Sequence, residues 1–187
     1  MSITADTIPG YVAGTWTLDP THSEVSFSVR HLAISKVRGT FESFSASAVS
    51  AENPLESTLV ASIDVSSVNT NNEMRDGHLR TSDFFAVEEF PTIDFRSTGL
   101  RVEGDDYLVD GELTLRGVTK PVTIKGEFGG IVTDGYGQVK AGASGTLKIN
   151  RHDFGVSWNA ATEAGGITLG DEVTITIEGQ MTFQPAE

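Results

Sequence analysis

The sequence predicts an all-β protein, an antiparallel barrel of about eight up-and-down strands with a short helical cap. Three observations predict it. Apolar and polar residues alternate with a period of two along most of the chain, turn-forming dipeptides separate the alternating runs, and one internal stretch breaks the pattern with helix-compatible residues. Alternation alone leaves a two-sheet sandwich open, but long strands with one apolar face suit a closed meander better.

The runs follow in order. In SEVSFSVRH, Val25, Phe27 and Val29 share one face, and Glu24, Ser26, Ser28 and Arg30 take the other. Leu59, Ala61, Ile63 and Val65 alternate in the next run. Residues 107–115 set Tyr107, Val109, Gly111, Leu113 and Leu115 against Asp110, Glu112 and Thr114. Val122, Ile124 and Phe128 resume the pattern, and Val139, Ala141, Ala143, Leu147 and Ile149 continue it. Last come Val173, Ile175, Ile177, Met181 and Phe183. Turns are expected at 103–106, Arg116-Gly117, Asp134-Gly135 and Gly165-Gly166. No repeat or linker divides the chain, so residues 1–187 read as one domain, with about 1–13 a flexible lead-in.

Between Val68 and Ile93 the alternation stops. Here Asn71 or Asn72 can cap one or two helical turns containing Glu73, Met74, Arg75, Leu79 and Arg80. Asp76 and Arg80, spaced i and i+4, are expected to pair, and Met74, Leu79, Phe84 and Phe85 to anchor the turn on one barrel mouth.

One inward row is unusually small: Ala141, Ala143 and Gly145. Small residues either admit a neighbouring side chain or leave space in the lumen, and an eight-stranded barrel is just wide enough for one small ligand. The row does not choose between the two.

Composition narrows the function classes. The 187 residues carry 13 Lys plus Arg against 26 Asp plus Glu, a formal charge of −13. Such acidity disfavours nucleic acid and anionic bilayers. The absence of cysteine excludes disulfides, thiolate nucleophiles and zinc–thiolate sites. No stretch is apolar enough for a membrane helix, so membrane insertion is not expected. The N-terminus shows neither a basic n-region nor an apolar h-region, so the expected location is cytoplasmic, or periplasmic or secreted if a leader has been removed.

Catalytic and metal signals are weak. His22, His31, His78 and His152 have no short ligand spacing, so no metal is expected. Ser82, His78 and Asp83 lie close together, yet no GxSxG elbow surrounds a serine and adjacent helical positions diverge in direction. No catalytic residue is expected. In LKINRHDFGVSWN, residues 147–159, the expectation is a strand end turning at Gly155, with Phe154 and Trp158 packed or lining a cavity.

Six ordered blocks then stand out: TWTLDPTHSEVSFSVRHL at 15–32, KVRGTFESF at 36–44, RDGHLRTSDFF at 75–85, FPTIDFRST at 90–98, GELTLRGVTKPVTI at 111–124 and INRHDFGVSW at 149–158. Together they resemble the YceI-like family nearly end to end. The resemblance implies a lipocalin-like eight-stranded barrel with a helical element. It also implies binding of a polyisoprenoid or isoprenoid quinone in the lumen, no enzymatic activity, and no cofactor beyond that lipid.

By inward parity, the expected apolar lining comprises Val25, Phe27, Val29, Phe41 and Ile124, with Ala141, Ala143, Leu147, Trp158 and Ile175. His31 is the expected inward polar contact, with Arg75 and His78 as head-group candidates at the mouth. The alternatives are an enzyme acting on a small substrate around His78, and a ligand-free structural barrel. Outward Val60 and Leu108 make a homodimer conceivable.

Overall fold

A strand that alternates apolar and polar side chains has one dry face, and a sheet of such strands can bury that face by curling onto itself. The computed structural model, which describes residues 3–163 and 165–186, shows that solution. Its strands are β1 (Gly14–Leu18), β2 (Glu24–His31), β3 (Ser35–Phe41), β4 (Phe44–Ser50), β5 (Thr58–Asp64), β6 (Val68–Asn69), β7 (Thr92–Glu103), β8 (Asp106–Leu115), β9 (Val118–Thr133), β10 (Val139–Asn150) and β11 (Leu169–Gln184). One α-helix, α1 (Glu73–Arg80), lies between β6 and β7. The order β1-β4-β5-β7-β8-β9-β10-β11 closes when β11 pairs with β1, giving an eight-membered antiparallel barrel.

The pass that pairs with β11 is broken. β11 pairs with β1 through Met181 and with β2 through Glu178, so β1 and β2 follow one line interrupted at residues 19–23. The interruption is a 3₁₀ turn, Pro20–His22, capped by Asp19. Asp19 accepts from the Thr21 hydroxyl at 2.7 Å and the Thr21 amide at 3.0 Å, and its other oxygen lies 2.9 Å from His22 Nδ1. These contacts, the Thr21 hydroxyl first, hold the Asp19 carboxyl well below the usual carboxylate range. Past the interruption, β2 and β3 leave the closed barrel as a hairpin extension, with β6 beyond them.

The turns fall where the punctuation predicts. Gly104, Arg116, Gly117, Gly137 and Gly165 all have positive φ. A register shift beside Gly142 and Ala143, opposite Gly129, is a β-bulge that bends the long β9–β10 pair.

The connection from β5 to β7 forms the cap. Asn72 is the N-cap of α1, its side chain accepting from the Arg75 amide at 2.9 Å. Two expectations need correction here. Asp76 does not pair with Arg80: it is buried and accepts from the Thr70 amide at 2.9 Å and the Thr70 hydroxyl at 2.5 Å. Arg80 reaches instead to the Ser66 and Val68 carbonyls at 2.9 and 3.2 Å. The helix docks back onto the 66–70 backbone, which offers both side chains fixed partners that a solvated helix would lack. Met74 does not anchor the cap either, being 88% exposed. It sits roughly 140° around the helix from Leu79, which does face the core.

Below the helix, Phe84, Val65, Val68, Phe154 and Val156 form one apolar cluster with Phe41, Ile93, Leu113, Leu115, Leu147 and Ile149. This cluster plugs one end of the barrel. Among the outward residues, Val60 is exposed and Leu108 half-buried.

Candidate functional site

Away from the plug, the inward side chains stop meeting and the lumen opens into a cavity of about 430 Å³. Its closed end is made by Val25, Phe41, Ile93, Phe95, Leu113, Leu115 and Leu147, all buried. Its walls carry Leu59, Ala61, Val109, Ile124, Ala141, Ala143, Ile175 and Ile177. At the far end Ile3, Ile8, Tyr11, Tyr107 and Ile131 surround the entrance. The N-terminal stretch read as a lead-in therefore contributes a wall: it forms a 3₁₀ turn at Ala5–Thr7, and the Tyr11 hydroxyl donates to the Ala51 carbonyl at 2.6 Å.

The small-residue row answers differently at neighbouring positions. At Gly145 the space belongs to a neighbour, since a Cβ there would lie 2.6 Å from Ile124 Cγ2. At Ala141 and Ala143 the space is cavity.

Of the ten residues with inward parity, Val25, Phe41, Ile124, Ala141, Ala143, Leu147 and Ile175 border the cavity. Phe27, Val29 and Trp158 do not. Parity tells which side of a strand a residue takes but not its height along the barrel. Phe27 and Val29 lie on β2 in the hairpin extension, where the Phe27 ring occupies the space above Gly39 and stands 5.5 Å from the Phe41 ring. Trp158 packs in the cap, edge-on to His78 at 4.9 Å and 5.2 Å from Phe84.

The three expected polar contacts also stand outside the cavity. His31 ends β2 and is half-buried beside Ser35 and Leu169. Arg75 donates to the Thr70 hydroxyl and carbonyl at 2.7 and 2.8 Å. His78 lies 2.7 Å from Asp83, its ring held between Phe84 and Trp158. All three belong to the plugged end. Among the described residues no cluster of three or more His, Asp or Glu is placed to share a metal.

Trp16, Tyr107, Met181 and the N-terminal isoleucines border the cavity without having been singled out from sequence. Tyr107 and Met181 share the parity of their strands and were legible. Trp16 is buried, with its indole N–H donating to Ser50 Oγ at 2.8 Å. Nothing local marks Ile3 and Ile8, because no strand pattern includes them.

One charge is deeply buried near the plug. Arg151 Nε donates to the Gly170 carbonyl, and Nη1 to the Val156 and Trp158 carbonyls, each at 2.8 Å. Its Nη2 has no partner among the described residues. Burial pushes the guanidinium below its usual pKa, with the charge of Asp171 opposing. The side chain ties together the loop that carries Phe154, Val156 and Trp158, a structural task.

The chain and its barrel have relatives among known proteins. The family model of the YceI-like domain matches residues 16–181. The chain belongs to the YceI-like family. Two relatives of this YceI-like protein are each 37% identical to it. One is the UPF0312 protein plu2095 of Photorhabdus laumondii, over 84% of this chain and 81% of the relative. The other is the UPF0312 protein SA2479 of Staphylococcus aureus, over 90% and 97%. Among solved structures, a YceI protein of Campylobacter jejuni superposes with a TM-score of 0.69 at 32% identity, covering 83% of this chain and 90% of that one. A polyisoprenoid binding domain from Saccharophagus degradans shares the fold, with a TM-score of 0.65 at 18% identity over 90% and 98% of the two chains.

Proposed function

We propose that the protein binds a long apolar lipid, an isoprenoid or isoprenoid quinone, in the barrel lumen for carriage, storage or sequestration, and performs no chemistry on it. The observation that carries this reading is the cavity itself: about 430 Å³, closed by aliphatic and aromatic side chains at one end and entered at the other. That volume falls within the range of small-molecule sites. Each Å² of apolar surface removed from water contributes about 25 cal/mol before the cost of association is subtracted. The fold shared with a polyisoprenoid binding domain supports the ligand class.

The distribution of polar groups supports an orientation. The closed end presents Val25, Phe41, Ile93, Leu113, Leu115 and Leu147, which suits a hydrocarbon tail. The phenols of Tyr11 and Tyr107 lie at the entrance, and Tyr107 packs against Phe128 with its ring centroid 6.1 Å away. A quinone or phosphate head group belongs at that end. It does not belong near His78, which stands on the far side of the plug.

Native mass spectrometry of the purified protein, with solvent extraction of what it carries, tests the proposal. The expected result is a bound prenyl lipid, or uptake of one when it is supplied. A barrel that is empty and also refuses every prenyl lipid offered overturns it.

A further inference from the structure

The β2–β3 hairpin differs in charge from the rest of the chain. Residues 25–41, VSFSVRHLAISKVRGTF, contain no Asp or Glu, although acids outnumber bases 26 to 13 overall. Arg30 and Lys36 are paired directly across the two strands, and Arg38 lies two residues on, so all three cations share one face. All three are exposed, and none forms a salt bridge among the described residues. Like charges set opposite each other weaken a strand pair, so the fold gains nothing from this arrangement.

The tip is apolar. Leu32 and Ala33 take left-handed φ values of 51° and 58°, where a hairpin ordinarily places Asn or Gly. This turn leaves Leu32 40% exposed and Ile34 83% exposed. Ile167, 56% exposed, stands beside them, because the Leu32 amide donates to the carbonyl of the next residue, Thr168, at 2.8 Å. An apolar tip backed by unpaired cations is the arrangement that settles at a lipid headgroup boundary.

We propose that this hairpin docks the protein on the surface of an anionic lipid bilayer. Leu32, Ile34 and Ile167 enter the headgroup boundary, and Arg30, Lys36 and Arg38 face the anionic headgroups. The acidity of the whole chain does not prevent this, because distant charges are screened beyond about 8 Å at physiological salt. The neighbouring acids on β11 each have a partner: Asp171 lies 2.8 Å from His152, which carries charge only when protonated, and Glu172 lies 3.2 Å from Lys148. Asp171, next to the Gly170 that packs on Arg30, and Glu163, in the loop that carries Ile167, are local opposing charges.

Two other readings account for less. Charges guard an edge strand against unwanted pairing, and β3 is such an edge from Ser35 to Gly39, since β6 meets only Thr40 and Phe41. That explains Lys36 and Arg38 but neither Arg30 on the inner strand nor the apolar tip. An extended acidic peptide added along the same edge would leave Leu32, Ile34 and Ile167 in water. The proposal stands apart from the lumen reading, because the hairpin lies at the plugged end and contributes nothing to the cavity entrance.

The test is flotation of the full chain with phosphatidylcholine vesicles and with vesicles of phosphatidylcholine and phosphatidylglycerol in equal parts. Binding is expected to the anionic vesicles, weakening as salt rises. Lys36→Gln and Arg38→Gln should each reduce partitioning about fivefold. Ile34→Ser should reduce it at every salt concentration, with thermal melts confirming that each variant is folded. Equal binding to both vesicle types, or variants that partition like the parent, overturns the proposal. So does capture by poly-glutamate that depends on Lys36 but not on Ile34, which would assign the hairpin to an acidic partner.

Discussion

Two inward positions on β10, two residues apart, should respond oppositely to added volume. At Gly145 a methyl group would stand 2.6 Å from Ile124 Cγ2, closer than side-chain carbons pack, so Gly145→Ala forces Ile124 to move. Overpacking of this kind costs about 1–3 kcal/mol, which for a domain of this size lowers Tm by roughly 2–12 °C. Ala143, on the same inward face, borders the cavity instead. Ala143→Phe therefore extends into open lumen, and its effect on stability should stay within about 0.5 kcal/mol. The ring takes volume that the proposed lipid needs, so occupancy should fall sharply. Differential scanning calorimetry on lipid-stripped protein gives the stabilities, and native mass spectrometry after exposure to a prenyl lipid gives the occupancy. If stripped Ala143→Phe loses as much stability as Gly145→Ala, the lumen is packed core and the reasoning fails.

Two further outcomes follow from polar groups. Replacing Arg151 with Met leaves the Gly170, Val156 and Trp158 carbonyls without their donor; at about 1 kcal/mol or more each, Tm should drop by roughly 6–12 °C, and a melt within 2 °C or so of the parent contradicts the assigned role. Hydrogen bonds from the Arg101 side chain, then Thr123, hold the Asp110 carboxyl at about 2, below the ordinary aspartate value of 3.8. A folded pKa below the unfolded one means the contribution is complete above the unfolded value and disappears as pH falls through the folded one. The Tm difference between the parent and Asp110→Asn should therefore shrink as pH is lowered from about 4 to about 2. A difference that does not change across that window counts against the assignment.

Much of the barrel was legible because its information is local. A period of two in residues 24–31, 107–115 and 173–183 states which side chains share a face, and Gly104, Gly117 and Gly165 mark turns through the φ values they permit. The N-cap could be narrowed to Asn71 or Asn72 for the same reason, and the structure takes Asn72, whose partner is the amide of Arg75 three residues on. Phe27 shows where this information ends. Its face was correct, but its level lay beyond the plug, and level depends on which strand pairs with which and in what register.

The sequence alone therefore determined the class of fold, the family, the apolar character of the interior and the seven parity positions that reached the cavity. Tertiary structure decided which end is plugged, where the entrance lies, and the roles of Asp76, Arg80 and Arg151. It also decided how the row of small residues divides between a packing contact at Gly145 and open space at Ala141 and Ala143. The physical reason is range. Alternation and turn geometry act between residues a few positions apart, whereas a cavity forms where side chains from strands far apart in sequence fail to meet.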